Sequence, residues 1–188
     1  MLRLAGVGEA SAMSDGPLAT VRQRLPWLVV NLFTASISAF VISRFEGTIA
    51  MIVSLAAVMP IVASTGGIGG TQSLAVSVRA LATRDLTSAN AARVVRRELV
   101  VGLLNGLGLA VILGIGGALV YGDARLGVVL ALAMVVNQIV AAFGGVMVPL
   151  TLERAGLDPA LASGTFVTTL TDVMGYLAFL GLATVLMT

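Results

Sequence analysis

The chain has 188 residues, 58% hydrophobic and 11% charged, with a formal net charge of +2 and a mean hydropathy of +1.05. So little charge cannot cover a water-exposed surface, which excludes a soluble globular enzyme and points to a single all-α integral membrane domain. Cysteine and histidine are both absent, so disulfides, thiolate metal sites and imidazole proton shuttles are excluded, and any metal must be held by oxygen, as magnesium, calcium or manganese are.

In chain order, the first 25 residues are mixed and polar. They lack the continuous apolar core of a signal peptide and read as a cytoplasmic connecting segment, 1–25, ahead of a transmembrane domain, 26–188. The first apolar run follows Arg22, Arg24 and Pro26 and ends near Ser43, with Trp27 at its interface end. Arg44 and Glu46 read as a short turn. A second run goes from Thr48 through Pro60 and STGGIGG (Ser64 to Gly70) to Ala82. As one helix it would extend about 52 Å at about 1.5 Å per residue, more than a bilayer core of about 30 Å. A span broken or bent at Pro60 and the glycines, with a cytoplasmic extension, is therefore expected. Thr83 to Arg97 reads as a short amphipathic surface helix, with Arg93, Arg96, Arg97 and Glu98 on a solvated face at headgroup level. A third span covers Leu99 to Val120 and is closed by Tyr121 to Arg125. A fourth covers Leu126 to Leu150, and a fifth runs from Leu161 to Leu186 after the loop Leu152 to Pro159.

All eleven basic residues are arginines. With five spans and a cytoplasmic N-terminus, Arg3, Arg22, Arg24, Arg79, Arg84, Arg93, Arg96, Arg97 and Arg154 fall inside, and only Arg44 and Arg125 outside. That is the positive-inside pattern of a multi-pass protein of the plasma or inner membrane, and it puts the C-terminus outside. The arginines are topology signals; no nucleic-acid partner is expected.

Asp172 is the only charged residue of the fifth span. A carboxylate at membrane depth is costly unless it faces protein, water or a cation. Thr165, Thr168 and Thr169 precede it by seven, four and three residues, so all four share one stripe, which continues to Gly175 and Tyr176. Such a stripe suits a water-lined cation path; the plainer reading is a structural hydrogen-bond network. One carboxylate is a poor cage for a bare divalent ion, but magnesium keeps its waters and is held through one or two carboxylates. Two copies of Asp172 across a dimer axis could grip one hydrated ion.

Other polar positions carry weaker signals. Asn31 begins a stripe with Thr34 and Ser38, and Asn137 one with Ala141 and Gly145. Both are pore-lining or supporting candidates, for which helix packing and interhelical hydrogen bonding is the preferred reading. Gly102 and Gly106 form a small-residue packing pair. Pro60, Gly66 and Gly67 would free backbone carbonyls for a pore wall, or else permit a tight helix crossing. Glu153 and Asp158 could gather cations at an inner mouth; alternatively they are loop residues, with Asp158 starting a helix ahead of Pro159.

Three segments together resemble the MgtE family of magnesium channels: RLPWLVVNLFTA, MPIVASTGGIGGTQ and DPALASGTFVTTLTDVMGYLAFLGLAT. The resemblance runs from about Arg22 to Leu186. It implies five transmembrane helices per subunit in a homodimer within the lipid bilayer, with the pore on the two-fold axis, lined by the second and fifth spans. Thr168, Thr169, Thr171 and Asp172 match the family's TTxTD pattern, whose aspartate binds the ion. Backbone oxygens around Thr168 are implied as further ligands, and Mg2+ as the transported ion. Where the family commonly has GGN, this chain has Gly66, Gly67 and Ile68, which moves any polar role there toward Gln72. Many members also carry a cytoplasmic sensor with nucleotide-linked CBS domains that closes the pore at high internal magnesium. This chain contains none, so magnesium-dependent closure is expected to be weak or absent.

The function expected is a magnesium-selective channel moving hydrated Mg2+ into the cytoplasm. The alternative is a proton- or sodium-coupled divalent cation exchanger of the same fold, in which Asp172 alternates between ion and proton. An intramembrane aspartyl protease would need two membrane aspartates, and only Asp172 qualifies. A non-transporting scaffold would tolerate Asp172→Ala.

Overall fold

The computed structural model describes residues 16–87 and 89–188, with backbone alone at 160–162. Arg3 and most of the expected connecting segment lie outside the described residues. Six helices follow one another: α1 (Pro17–Ser43), α2 (Glu46–Met51), α3 (Ser54–Ala82), α4 (Ala91–Tyr121), α5 (Ala124–Arg154) and α6 (Pro159–Met187). Five are long and apolar enough to span a bilayer: α1, α3, α4, α5 and the Ser163–Met187 part of α6. In hydrocarbon a helix satisfies its own backbone, which is why long apolar runs take this form.

Several boundaries differ from the sequence expectation. α1 starts at Pro17, so residues 17–25 extend the first span and Pro26 lies inside the helix. The expected turn at Arg44 and Glu46 continues into α2, and the break in the second run falls at Ile52 and Val53. α3 then runs unbroken through Pro60 and all four glycines of the Gly66 to Gly70 segment. The expected surface helix over Thr83 to Arg97 does not form. Residues 83–87 and 89–90 are non-helical instead, held by Thr83 to Asp85 (2.5 Å), Thr87 N–H to Asn90 Oδ1 (2.9 Å) and Asn90 Nδ2 to the Asp85 carbonyl (2.7 Å). Arg93, Arg96 and Arg97 occupy the first two turns of α4, where long arginines can reach the headgroups while their stems stay apolar.

The other connections are short and capped. Gly122 takes φ +65° after α4, and the Asp123 carboxylate accepts the N–H groups of Arg125 and Leu126 at 2.8 and 3.4 Å. α5 ends in a Schellman motif: Gly156 has φ +73°, Leu157 N–H bonds the Leu152 carbonyl, and Gly156 N–H bonds that of Glu153. Asp158 sits just ahead of Pro159, the first residue of α6.

α5 is the central helix, packed against α3, α4 and α6; α1 packs chiefly on α6. Two apolar clusters hold the bundle. One joins Leu55, Val58 and Val62 of α3 to Leu130 and Met134 of α5 and Phe179 and Leu180 of α6. The other sits at the opposite end and joins Leu81, Leu86 and Ala91 to Val146 and Leu150. Between them lies a layer of glycines, threonine and carboxamides.

Candidate ion site

The middle layer is built on close approach. An ideal Cβ at Gly66 would lie 2.6 Å from Cγ of Asn137, and one at Gly175 would lie 3.1 Å from it. The carboxamide of Asn137 therefore fills the space left by glycines of α3 and α6. It is fully buried, and its Nδ2 donates to the Val62 carbonyl at 2.8 Å. Gln138 Nε2 donates to the Thr65 carbonyl at 3.1 Å. At Gly145 a Cβ would meet backbone atoms of Gly70 and Leu74, both at 2.9 Å. Asn137, Ala141 and Gly145 thus form the α5 side of a tight crossing. Gly66 and Gly67 serve that crossing within a regular helix and do not interrupt the backbone. Gly102 likewise brings α4 against α5: a Cβ there would lie 2.7 Å from the Gln138 carbonyl oxygen.

The face of α6 turned into this crossing carries Val167, Thr171 and Phe179, all fully buried, with Gly175 between them. Asp172 is one residue on, about 100° around the helix. It is half-buried, as are Thr165, Thr168 and Thr169 on the same stripe. Thr168 Oγ1 donates to the carbonyls of Gly164 and Thr165 (3.0 and 3.1 Å), Thr169 Oγ1 to that of Thr165 (2.7 Å), and Thr171 Oγ1 to that of Thr168 (2.9 Å). The hydroxyl protons are thereby committed to the helix itself, and the hydroxyl oxygens keep lone pairs for an outside donor. Asp172 forms no hydrogen bond or ion pair among the described residues. A Cβ at Gly67 would lie 4.0 Å from the methyl of Thr168, which places α3 alongside the stripe.

The remaining predicted residues are scattered. Asn31 is exposed on α1, and its side chain forms no hydrogen bond among the described residues. Pro60 is exposed in the second turn of α3. Asn137 lies inside the bundle, behind the stripe. Gln72 is placed away from Asp172: it lines a cavity between α3 and α4 with Ser73, Glu98, Asn105 and Gln138. Glu98 corrects the expectation of a solvated face, for its carboxylate accepts Ser73 Oγ at 2.9 Å inside the protein. The available signal was periodicity: Glu98, Gly102 and Asn105 fall on one stripe of α4, and Gly69, Ser73 and Val76 on one of α3.

A half-buried carboxylate within one of five long apolar helices is the arrangement of a multi-pass membrane transport protein, where such groups mark ion paths. The chain belongs to the MgtE family of divalent cation transporters, whose description matches residues 59–182. It is 36% identical over 186 residues to "Magnesium transporter MgtE" of Enterococcus faecalis, covering 98% of this chain and 40% of the relative. With the Bacillus subtilis protein of the same name it shares 36% identity, covering 86% of this chain and 36% of the relative. With that of Thermus thermophilus it shares 38%, covering 92% and 38%. The chain therefore spans about 40% of the length of these relatives or slightly less.

Proposed function

We propose that this chain is the ion-conducting part of a magnesium transporter, working as a channel that lets hydrated Mg2+ into the cytoplasm. The observation that carries the reading is Asp172: a carboxylate at membrane depth on a half-buried flank of α6, without a cationic partner among the described residues. Two such flanks facing each other across a homodimer axis would place two carboxylates around one octahedral, water-clad ion. The ion's charge would offset their repulsion, and its waters would donate to the threonine oxygens and helix carbonyls. The names of the relatives support magnesium as the cargo. The orientation is supported by the arginines. Arg79, Arg84, Arg93, Arg96, Arg97 and Arg154 gather near the ends of α3 and α5 and the start of α4, and the opposite end keeps Arg44 and Arg125.

The test is Mg2+ uptake into proteoliposomes under an imposed membrane potential, with no pH or sodium gradient. A channel runs at full rate, and Asp172→Asn lowers flux at least tenfold while the protein stays folded. Uptake that appears only with a proton or sodium gradient would establish coupled exchange instead. Full flux through Asp172→Asn would remove Asp172 from the path.

A further inference from the structure

We infer a second cation site in the cavity between α3 and α4, where Glu98 holds a hydrated divalent cation against the side-chain oxygens of Gln72, Asn105 and Gln138. The cavity measures about 230 Å³. Six waters at about 30 Å³ each occupy about 180 Å³, so an octahedral hydrated ion fits there.

Its walls carry polar side chains on all three helices, set among Val76, Val101 and Ala142. α3 contributes Gln72 and Ser73, α4 contributes Glu98 and Asn105, and α5 contributes Gln138. Glu98 lies two turns into a spanning helix, accepts only the Ser73 hydroxyl, and forms no ion pair among the described residues. The neighbouring Arg97 lines the rim but is exposed and leaves that carboxylate unpaired. It is the one other charged residue in the lining; the α5 wall carries none.

The orientation of Gln138 is fixed by chemistry. The Thr65 carbonyl requires the amide nitrogen, so the amide oxygen is directed to the Gly69 side, 2.4 Å from where a Cβ would stand at that position. Gly69 thus leaves open the space into which this oxygen projects. Each wall offers oxygen acceptors, and a single carboxylate among neutral amides matches an ion that keeps its waters. α3 and α4 hardly touch each other directly, so the ion would be the main link between them. The opposite face of α3 meets Thr168 and Thr171 of α6. Occupancy would therefore fix the helix that flanks Asp172.

This site is independent of flux and is tested in the Asp172→Asn background, where the proposed transport site is disabled. Mn2+ binding to the purified 188-residue chain is followed by electron paramagnetic resonance. The expected result is bound Mn2+ that MgCl2 displaces and NaCl of equal ionic strength does not. Adding Glu98→Gln should abolish it. Gln72→Leu, at an exposed position that tolerates an apolar residue, should weaken it about tenfold. Arg97→Gln should tighten it, because it removes a repulsive charge. The inference is overturned if bound Mn2+ is absent, if it survives Glu98→Gln, if NaCl displaces it equally, or if Arg97→Gln weakens it.

Discussion

Two polar regions lie side by side at mid-membrane, and they are built to opposite ends. At the crossing of α3, α5 and α6, Asn137 is fully buried and its amide nitrogen is bonded to the Val62 carbonyl. On the neighbouring flank of α6, Asp172 is half-buried and unpartnered among the described residues. The first region uses its amide nitrogens to hold helices together. The second leaves its carboxylate without a hydrogen bond or ion pair among the described residues. In hydrocarbon this distinction is sharp, because water is not there to satisfy whatever the protein leaves over.

The comparison can be broken at either region. The largest effect on folding is expected at Gly145, where a Cβ would press on backbone atoms of α3. Gly145→Leu should cost more than about 3 kcal/mol, enough to abolish a monodisperse peak in fluorescence-detected size exclusion. Asp172→Asn is expected to do the reverse, leaving thermal stability within about 0.5 kcal/mol of the parent while flux falls at least tenfold. Asn137→Ala should lie between them. Membrane interhelical hydrogen bonds contribute about 0.6 kcal/mol, and the space vacated beside Gly66 and Gly175 adds to the loss, for a total of about 1–2 kcal/mol by thermal unfolding in detergent. Thr168→Val removes a hydroxyl bonded only to its own helix, so stability should stay within about 0.5 kcal/mol and flux fall by less than the Asp172 change. Asn31→Leu, on the exposed face of α1, should be smallest, with no measurable loss of thermal stability in the single chain. A large loss there would show that this face is covered in the assembly.

The five spans were legible because apolar length is read over long windows, and Asp172 stands out as the lone charge of one of them. The small-residue stripes of α4 and α5 were also legible as packing, since glycine at helical spacing has few other uses in a span. The course of α3 was not. Pro60 and the glycines are helix breakers in water, yet a membrane offers the backbone no competing partner and the helix continues. The start of α4 was hidden by Arg93, Arg96 and Arg97, which look like a surface segment until their stems are allowed to run along the helix. Glu98 was misread for the same reason, and its partner Ser73 lies 25 residues away on another helix, beyond the reach of local periodicity.

The packing of α1 has a mechanical consequence. It lies chiefly against α6 and is nearly free of α3, α4 and α5. A pull or twist on the N-terminal turns of α1 would therefore arrive first at the helix bearing Asp172, with the rest of the bundle acting as the fixed wall. Force on that end of the chain has a short route to the carboxylate proposed above to hold the ion.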